Sequence, residues 1–307
     1  MLRETLHHLA GSDALRRTAV SNPLARKLAS RFVAGETLDQ AVAAVQVINA
    51  AGMSASLDHL GENVTTPDEA RAGAEDYKRA LVAIVQEGLA ANISCKLTHL
   101  GLDLGLDIAT DLIENVIAEA ARLDTFVRID MEGSKYTQVT LDTTRRLFGR
   151  YRNVGAVIQS YLRRSSEDIT SLNREGIRVR LVKGAYLEPP AIAYADKREV
   201  DDSYRRLSEL LLRDGPYPAF ATHDEPIVEW VKAKAAELGR SAETFEFQML
   251  YGIRRDLQRR LQAEGHNVRV YLPYGSQWYP YLMRRLAERP ANLMFMVGNV
   301  AREARTR

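Results

Sequence analysis

From about residue 51 to the end of the chain, short apolar runs alternate with longer amphipathic stretches, and this alternation limits the fold to a few architectures. The runs that read as strands are 53–58, 92–98, 125–131, 154–160, 177–183, 218–223, 244–248 and 267–272. Helical patterns fill the intervals, among them 66–87, 108–122, 138–148, 200–212, 226–238 and 253–264. Eight strands separated by helices predict a parallel α/β fold, and that number favours a closed (β/α)8 barrel of the TIM type over an open sheet. Residues from about 1 to 50 read as a helical segment, with turns at Gly11-Ser12, Asn22-Pro23 and Gly35. No self-repeat, low-complexity tract or linker divides the chain, so residues 1–307 are expected to form one catalytic domain, with the barrel over about 51–307.

Composition is consistent with this. Hydrophobic residues make up 46% and charged residues 27% of the 307, enough for a large core and too apolar for global disorder. The 42 basic and 40 acidic side chains leave a formal net charge of +2, which provides no strong field for nucleic acid. Cys95 is the sole cysteine, so an internal disulfide is excluded and a reducing compartment fits. No apolar run reaches the roughly 18–20 residues needed to span a bilayer, and the N-terminus lacks the apolar core of a secretory signal. A cytoplasmic protein is the expectation; the arginines near the N-terminus leave an organellar transit segment as a second reading.

Side chains alternate across a strand, so each run divides into two faces. In 177–183, Ile177, Val179 and Leu181 oppose Arg178, Arg180 and Val182; in 125–131, Val127, Ile129 and Met131 oppose Arg128 and Asp130. The same division recurs along the chain, with polar groups collecting near the C-terminal ends of the runs. In a barrel the apolar faces pack under the helices and the polar faces line the interior, whose C-terminal mouth holds the active site. Asp58, Lys96, Asp130, Gln159, Arg180, His223, Gln248 and Tyr271 are therefore expected to converge there. An antiparallel sheet with one solvated face would alternate in the same way, though it leaves the intervening helices unexplained. Charges inside a barrel are costly unless paired or bound to ligand, so such a mouth suits a small, charged molecule.

Near the C-terminus, YLMRRLAE places Tyr281, Arg284, Arg285 and Glu288 at i, i+3, i+4 and i+7, on one helical face. Two adjacent guanidiniums can grip a carboxylate bidentately, and Glu288 can hold the fork of Arg284. A solvated helix with an ordinary ion pair would show the same spacing, but the aromatic stretch YLPYGSQWYPY just upstream favours a pocket. The dinucleotide fingerprint, the phosphate-binding loop and the serine-hydrolase elbow are absent, and the six histidines lack metal-ligand spacing. A Schiff-base lysine at Lys96 or Lys183 remains conceivable, as does a binding module without catalysis.

Taken together, RLVKGAY (180–186), YLMRRLAE (281–288) and FEFQMLYG (245–252), with LDHLGE, SCKL, RIDME, IQSYLRR and FATHD in order before and between them, resemble the proline dehydrogenase family. The resemblance covers nearly the whole chain and includes the proline-oxidising domain of bifunctional proline utilisation proteins. It implies a distorted barrel with the last helix over the mouth, and oxidation of L-proline to Δ1-pyrroline-5-carboxylate, the first step of proline catabolism to glutamate. FAD would accept the hydride at N5, and a membrane quinone would take the electrons, with peripheral contact to the inner face of the membrane. A pyrroline-5-carboxylate dehydrogenase would act downstream.

By the same resemblance, Arg284, Arg285 and Lys96 would bind the proline carboxylate, while Leu250, Tyr271 and Tyr281 would pack on the ring. Asp130 would set the charge near Lys96 and Tyr271, and Glu62 would pair with Arg284 as a gate. Flavin contacts would fall to Gln159, Arg180, Val182, Lys183, Gly184, Ala185, Tyr186, Thr222, His223 and Glu288, with Arg180 beside N5. A cationic surrounding favours the reduced, anionic flavin. His59 and Asn63 depart from the less polar residues the pattern implies around the Leu-Gly-Glu turn.

Overall fold

The strands all pair in parallel and close on themselves in sequence order, β1-β2-β3-β4-β5-β6-β7-β8, in a computed structural model. The structure describes residue 22, residues 25–26, 29–61 and 64–288, with side chains as far as Met283. The strands are β1 (Ser54–His59), β2 (Ala91–Cys95), β3 (Val127–Ile129), β4 (Val154–Gln159), β5 (Val179–Val182), β6 (Ala219–Ala221), β7 (Glu246–Leu250) and β8 (Asn267–Tyr274). Each lies within or beside a run expected from the sequence, and the parallel pairing rules out the antiparallel alternative.

The helices are α1 (Leu38–Ala50), α2 (Pro67–Gln86), α3 (Leu106–Arg122), α4 (Thr137–Tyr151), α5 (Ser165–Glu175), α6 (Lys197–Asp214), α7 (Glu225–Glu237), α8 (Arg255–Ala263) and α9 (Trp278–Glu288). Of these, α5 is additional to the helices singled out from the sequence; its opening Ser-Ser-Glu-Asp is polar, and only Ile169 and Leu172 give it a buried apolar stripe. Helix starts follow local chemistry. Thr66 accepts from the Glu69 backbone while the Glu69 carboxylate accepts from the Thr66 N–H, and Pro67 occupies the first turn. Thr37 and Gln40 repeat that reciprocal cap on α1.

The apolar strand faces form the layer beneath the helices. Ile93, Cys95, Val127 and Ile129 meet Ile113, Val116 and Ile117 of α3 on one side of the barrel. On the other side, Val179, Leu181, Phe220 and Phe247 meet Leu207 of α6 and Val231 of α7. Closure rests on β1 and β8, paired in register from Ser54↔Arg269 to His59↔Tyr274.

The expected N-terminal helical segment is described only in part: α1 is present, and residues 1–21 lie outside the described residues. Phe32 and Val33 of that segment pack with Leu60 and with Trp278 and Leu282 of α9. The indole N–H of Trp278 donates to Glu36 at 3.1 Å, and the ring is 2% exposed. The aromatic stretch around Trp278 is thus an internal joint with the segment that precedes α1.

Replacing Phe247→Ala, which removes a ring packed between Phe220 and Phe245, should cost about 3–5 kcal/mol in urea unfolding.

Candidate active site

The eight polar residues expected to converge do so. Asp58, Lys96, Asp130, Gln159, Arg180, His223, Gln248 and Tyr271 all line one cavity of about 510 Å³ at the C-terminal ends of the strands. The register explains it: Asp58 pairs with Ser94 and Arg180 with Ala219, so successive inward residues step around the mouth.

Deepest is a buried ion pair. Arg180, on β5, is 3% exposed; its Nη1 donates to Asp130 Oδ1 at 2.7 Å and its Nη2 to Ser94 Oγ at 2.9 Å. The second oxygen of Asp130 accepts from the Tyr271 hydroxyl at 2.7 Å, and the Arg180 guanidinium lies 5.2 Å from the Tyr271 ring centroid. Burial, reinforced by the negative charges of Asp130 and Asp58, holds the Tyr271 hydroxyl well above its ordinary range, so it keeps its proton and donates. Asp130 was expected beside both Lys96 and Tyr271. The Tyr271 contact is present, and Lys96 Nζ donates to both oxygens of Asp58, at 2.9 and 3.1 Å.

Toward the rim, Lys183 Nζ reaches Asp201 Oδ1 at 2.5 Å and Asp224 Oδ2 at 2.7 Å. Burial alone would raise both carboxyls; the hydrogen bonds and charge of Lys183, with Lys197, outweigh it and hold each below its ordinary value. Neither aspartate was singled out as a site residue, although Asp224 closes the FATHD segment, because a charge partner 41 residues from its lysine leaves no periodic trace. Gly184, at φ +109°, presents backbone to the cavity, and a side chain there would run into the Tyr161 ring. His223 accepts the Leu250 N–H through Nε2 at 2.9 Å, which puts its ring proton on Nδ1 if neutral. Gln159 donates to the Glu132 carbonyl at 2.9 Å, and Thr222 Oγ1 accepts from the Asp224 N–H.

Val182, Ala185, Leu250 and Tyr281 also line the cavity, as does Tyr186, 39% exposed at its edge. Tyr281 belongs to α9, so the last described helix reaches the mouth. The backbone of α9 includes Arg284, Arg285 and Glu288, whose side chains lie outside the described residues, as does Glu62. Lys96 and Lys183 are both held by carboxylates, whereas a Schiff-base lysine needs an apolar or cationic surrounding. Cys95 is buried in the outer layer, and burial raises its thiol well above the ordinary range, so it is no nucleophile. Among the described residues no group of three or more acidic, histidine or cysteine side chains could hold a metal.

The family model for proline dehydrogenase matches residues 41–297. The chain belongs to the proline dehydrogenase family. It is 44% identical over 275 residues to proline dehydrogenase of Deinococcus radiodurans, covering 88% of this chain and 89% of that relative. Proline dehydrogenase 1 of Bacillus subtilis is 42% identical over 275 residues, covering 90% and 91%. Among solved structures, proline utilization A from Bdellovibrio bacteriovorus, inactivated by N-propargylglycine, superposes with a TM-score of 0.80 at 27% identity, over 85% of this chain and 32% of that longer one. Membership makes this chain an oxidoreductase of proline catabolism, and the polar mouth is the candidate site on its barrel.

Acid sensitivity should expose the rim pairs. Because the folded-state values of Asp201 and Asp224 lie below the ordinary 3.8, their contribution is present above that pH and lost as pH falls through the lowered values. Lys183→Met should move the acid-unfolding midpoint to higher pH, followed by far-UV circular dichroism.

Proposed function

We propose that the chain oxidises L-proline to Δ1-pyrroline-5-carboxylate, with FAD as the bound acceptor and a quinone as the final oxidant. The observation that carries the FAD reading is the cavity itself. Its volume of about 510 Å³ lies within the range of small-molecule and cofactor sites. Two side-chain atoms of its lining residues, Arg180 Nε and Gln248 Oε1, are buried without a hydrogen-bond partner among the described residues. An unpaired buried donor and acceptor cost free energy until a polar ligand meets them. Gln159, Arg180, the 182–186 segment, Thr222, His223 and Glu288 would hold the flavin.

Bound there, FAD would supply the acceptor for the hydride that leaves the proline ring carbon next to nitrogen. The protein's part is orientation. Arg284 and Arg285, with Lys96, would fix the carboxylate by charge-assisted hydrogen bonds, away from the bond that breaks. Leu250, Tyr271 and Tyr281 would frame the apolar ring methylenes and exclude water. Asp130 acts as counter-ion and not as base: its two oxygens already accept from Arg180 and Tyr271. The same pair keeps the Tyr271 ring in place against the substrate. Glu62 would pair with Arg284 over bound proline.

Among the described residues no helix is long and apolar enough to cross a membrane. We accordingly place the enzyme in the cytoplasm with peripheral access to membrane quinone, upstream of a pyrroline-5-carboxylate dehydrogenase.

An anaerobic visible spectrum before and after L-proline tests the proposal directly. Flavin absorption that bleaches on addition is the expected result; a protein that cannot be loaded with FAD would overturn the cofactor, and a loaded flavin that stays oxidised would overturn the substrate. Arg285→Met should weaken proline by about 1.5–3 kcal/mol, read as KM, because one charged hydrogen bond is lost. An unchanged KM would remove Arg285 from the carboxylate grip.

A further inference from the structure

We propose that the N-terminal mouth of the barrel is a second binding site, taking a small oxyanion of the carboxylate or phosphate class. A cavity of about 520 Å³ lies there, at the opposite end of the strands from the proline site. Its walls combine residues at the starts of strands, among them Ser54, Asn92, Phe126, Arg178 and Glu246, with Ile84 and Val85 from the end of α2.

The central observation is a buried cation without a carboxylate partner among the described residues, its guanidinium 4.9 Å from the Phe126 ring centroid. Arg128, on β3, is 2% exposed, yet no carboxylate among the described residues pairs with it. Its Nη1 donates to two neutral carbonyls, Ala156 at 3.2 Å and Arg178 at 3.0 Å. Its Nε is buried with no hydrogen-bond partner. Buried guanidiniums are ordinarily paired, because an isolated one costs several kcal/mol. Glu246, the carboxylate in the same cavity wall, is already committed: Arg269 Nε donates to both its oxygens at 3.0 and 3.1 Å, and Gln248 donates to one of them. Burial, and next the charge of Arg180, push the Arg128 guanidinium down to about 9, as expected of a cation short of a counter-charge.

The wall around it has the same sign. Arg128, Arg178 and Arg269 face Glu246 and Asp124, three cations against two carboxylates, with Arg178 and Asp124 both exposed. Arg178 lies 5.4 Å from the Phe126 ring centroid and 5.3 Å from that of Tyr217, so its guanidinium is held over aromatic faces instead of swinging free. Gly155 makes room for the arrangement: a Cβ there would sit 2.6 Å from the Arg178 carbonyl and 3.0 Å from Arg128 Nη1. Guanidinium forks match carboxylate and phosphate oxygens, and an oxyanion beside Arg128 would supply both its missing counter-charge and an acceptor for Nε.

The test is calorimetric titration of the purified full-length enzyme with inorganic phosphate and, separately, with succinate, at constant ionic strength set by chloride. Saturable binding of at least one probe is expected. That binding should vanish in Arg128→Met and weaken at least tenfold in Arg178→Ala, while KM for proline in Arg178→Ala stays unchanged. Phosphate alone or succinate alone would identify which oxyanion the site prefers. Absence of saturable binding to either would overturn the proposal and leave the cavity to water. Equal binding in wild type and both variants would overturn it too, by moving the anion to the cations of the proline mouth. If Arg128→Met does not fold, Arg178→Ala decides.

Discussion

The contact between Arg180 and Asp130 is the one on which the barrel interior depends. It places a guanidinium and a carboxylate, 4% and 11% exposed, at 2.7 Å in a space that in other barrels is filled by branched aliphatic side chains. Such a pair is tolerable only where its remaining valences are met. Here Ser94 accepts from Arg180, and Tyr271 donates to Asp130. Both second contacts come from other strands, so the charge network also ties β2, β3, β5 and β8 across the barrel. The lining of the candidate site and the bracing of the barrel therefore share the same four side chains.

Seen along its axis, the interior is a column of such pairs. Arg269–Glu246 lies toward the strand starts, Arg180–Asp130 in the middle, Lys96–Asp58 near the mouth and Lys183 with Asp201 and Asp224 at the rim. Each cation in the column has its own acid. Arg128 is the exception among the described residues, and it borders a cavity. The order of the column also separates places: the pairs near the mouth line the candidate site, whereas the Arg269–Glu246 pair lies among residues that begin the strands.

The barrel was legible because two periodicities report on it independently. Alternation in 177–183 put Val179 and Leu181 outside and Arg180 inside, and the helical spacing of the intervals left no room for antiparallel hairpins. The same alternation located Asp58, Lys96, Asp130 and Tyr271, since strand parity is a property of neighbours in the chain. Partnerships were less legible. That Lys96 would take Asp58, or Lys183 take Asp201 and Asp224, depends on strand order and on loops whose course no local pattern encodes. Likewise the aromatic stretch holding Trp278 suggested a pocket, but its partner Glu36, 242 residues earlier, left no local sign. The expectation of a flavin rests on resemblance alone; alternation shows where polar groups gather and says nothing of what they hold.

Closure through β1 and β8 has a consequence for how the molecule comes into being. The paired residues Ser54 and Arg269 are 215 positions apart, so the seam cannot form until nearly the whole chain has been synthesised. Domains emerge N-terminus first, and long-range pairing is the slow part of folding. Until that last strand arrives, the interior charges stay in contact with water and carry no desolvation cost. Arg180, Asp130 and their neighbours are thus buried in a single late event, in which pairing and dehydration happen together. An enzyme with an ionic interior is spared the stage at which those ions would be buried without partners.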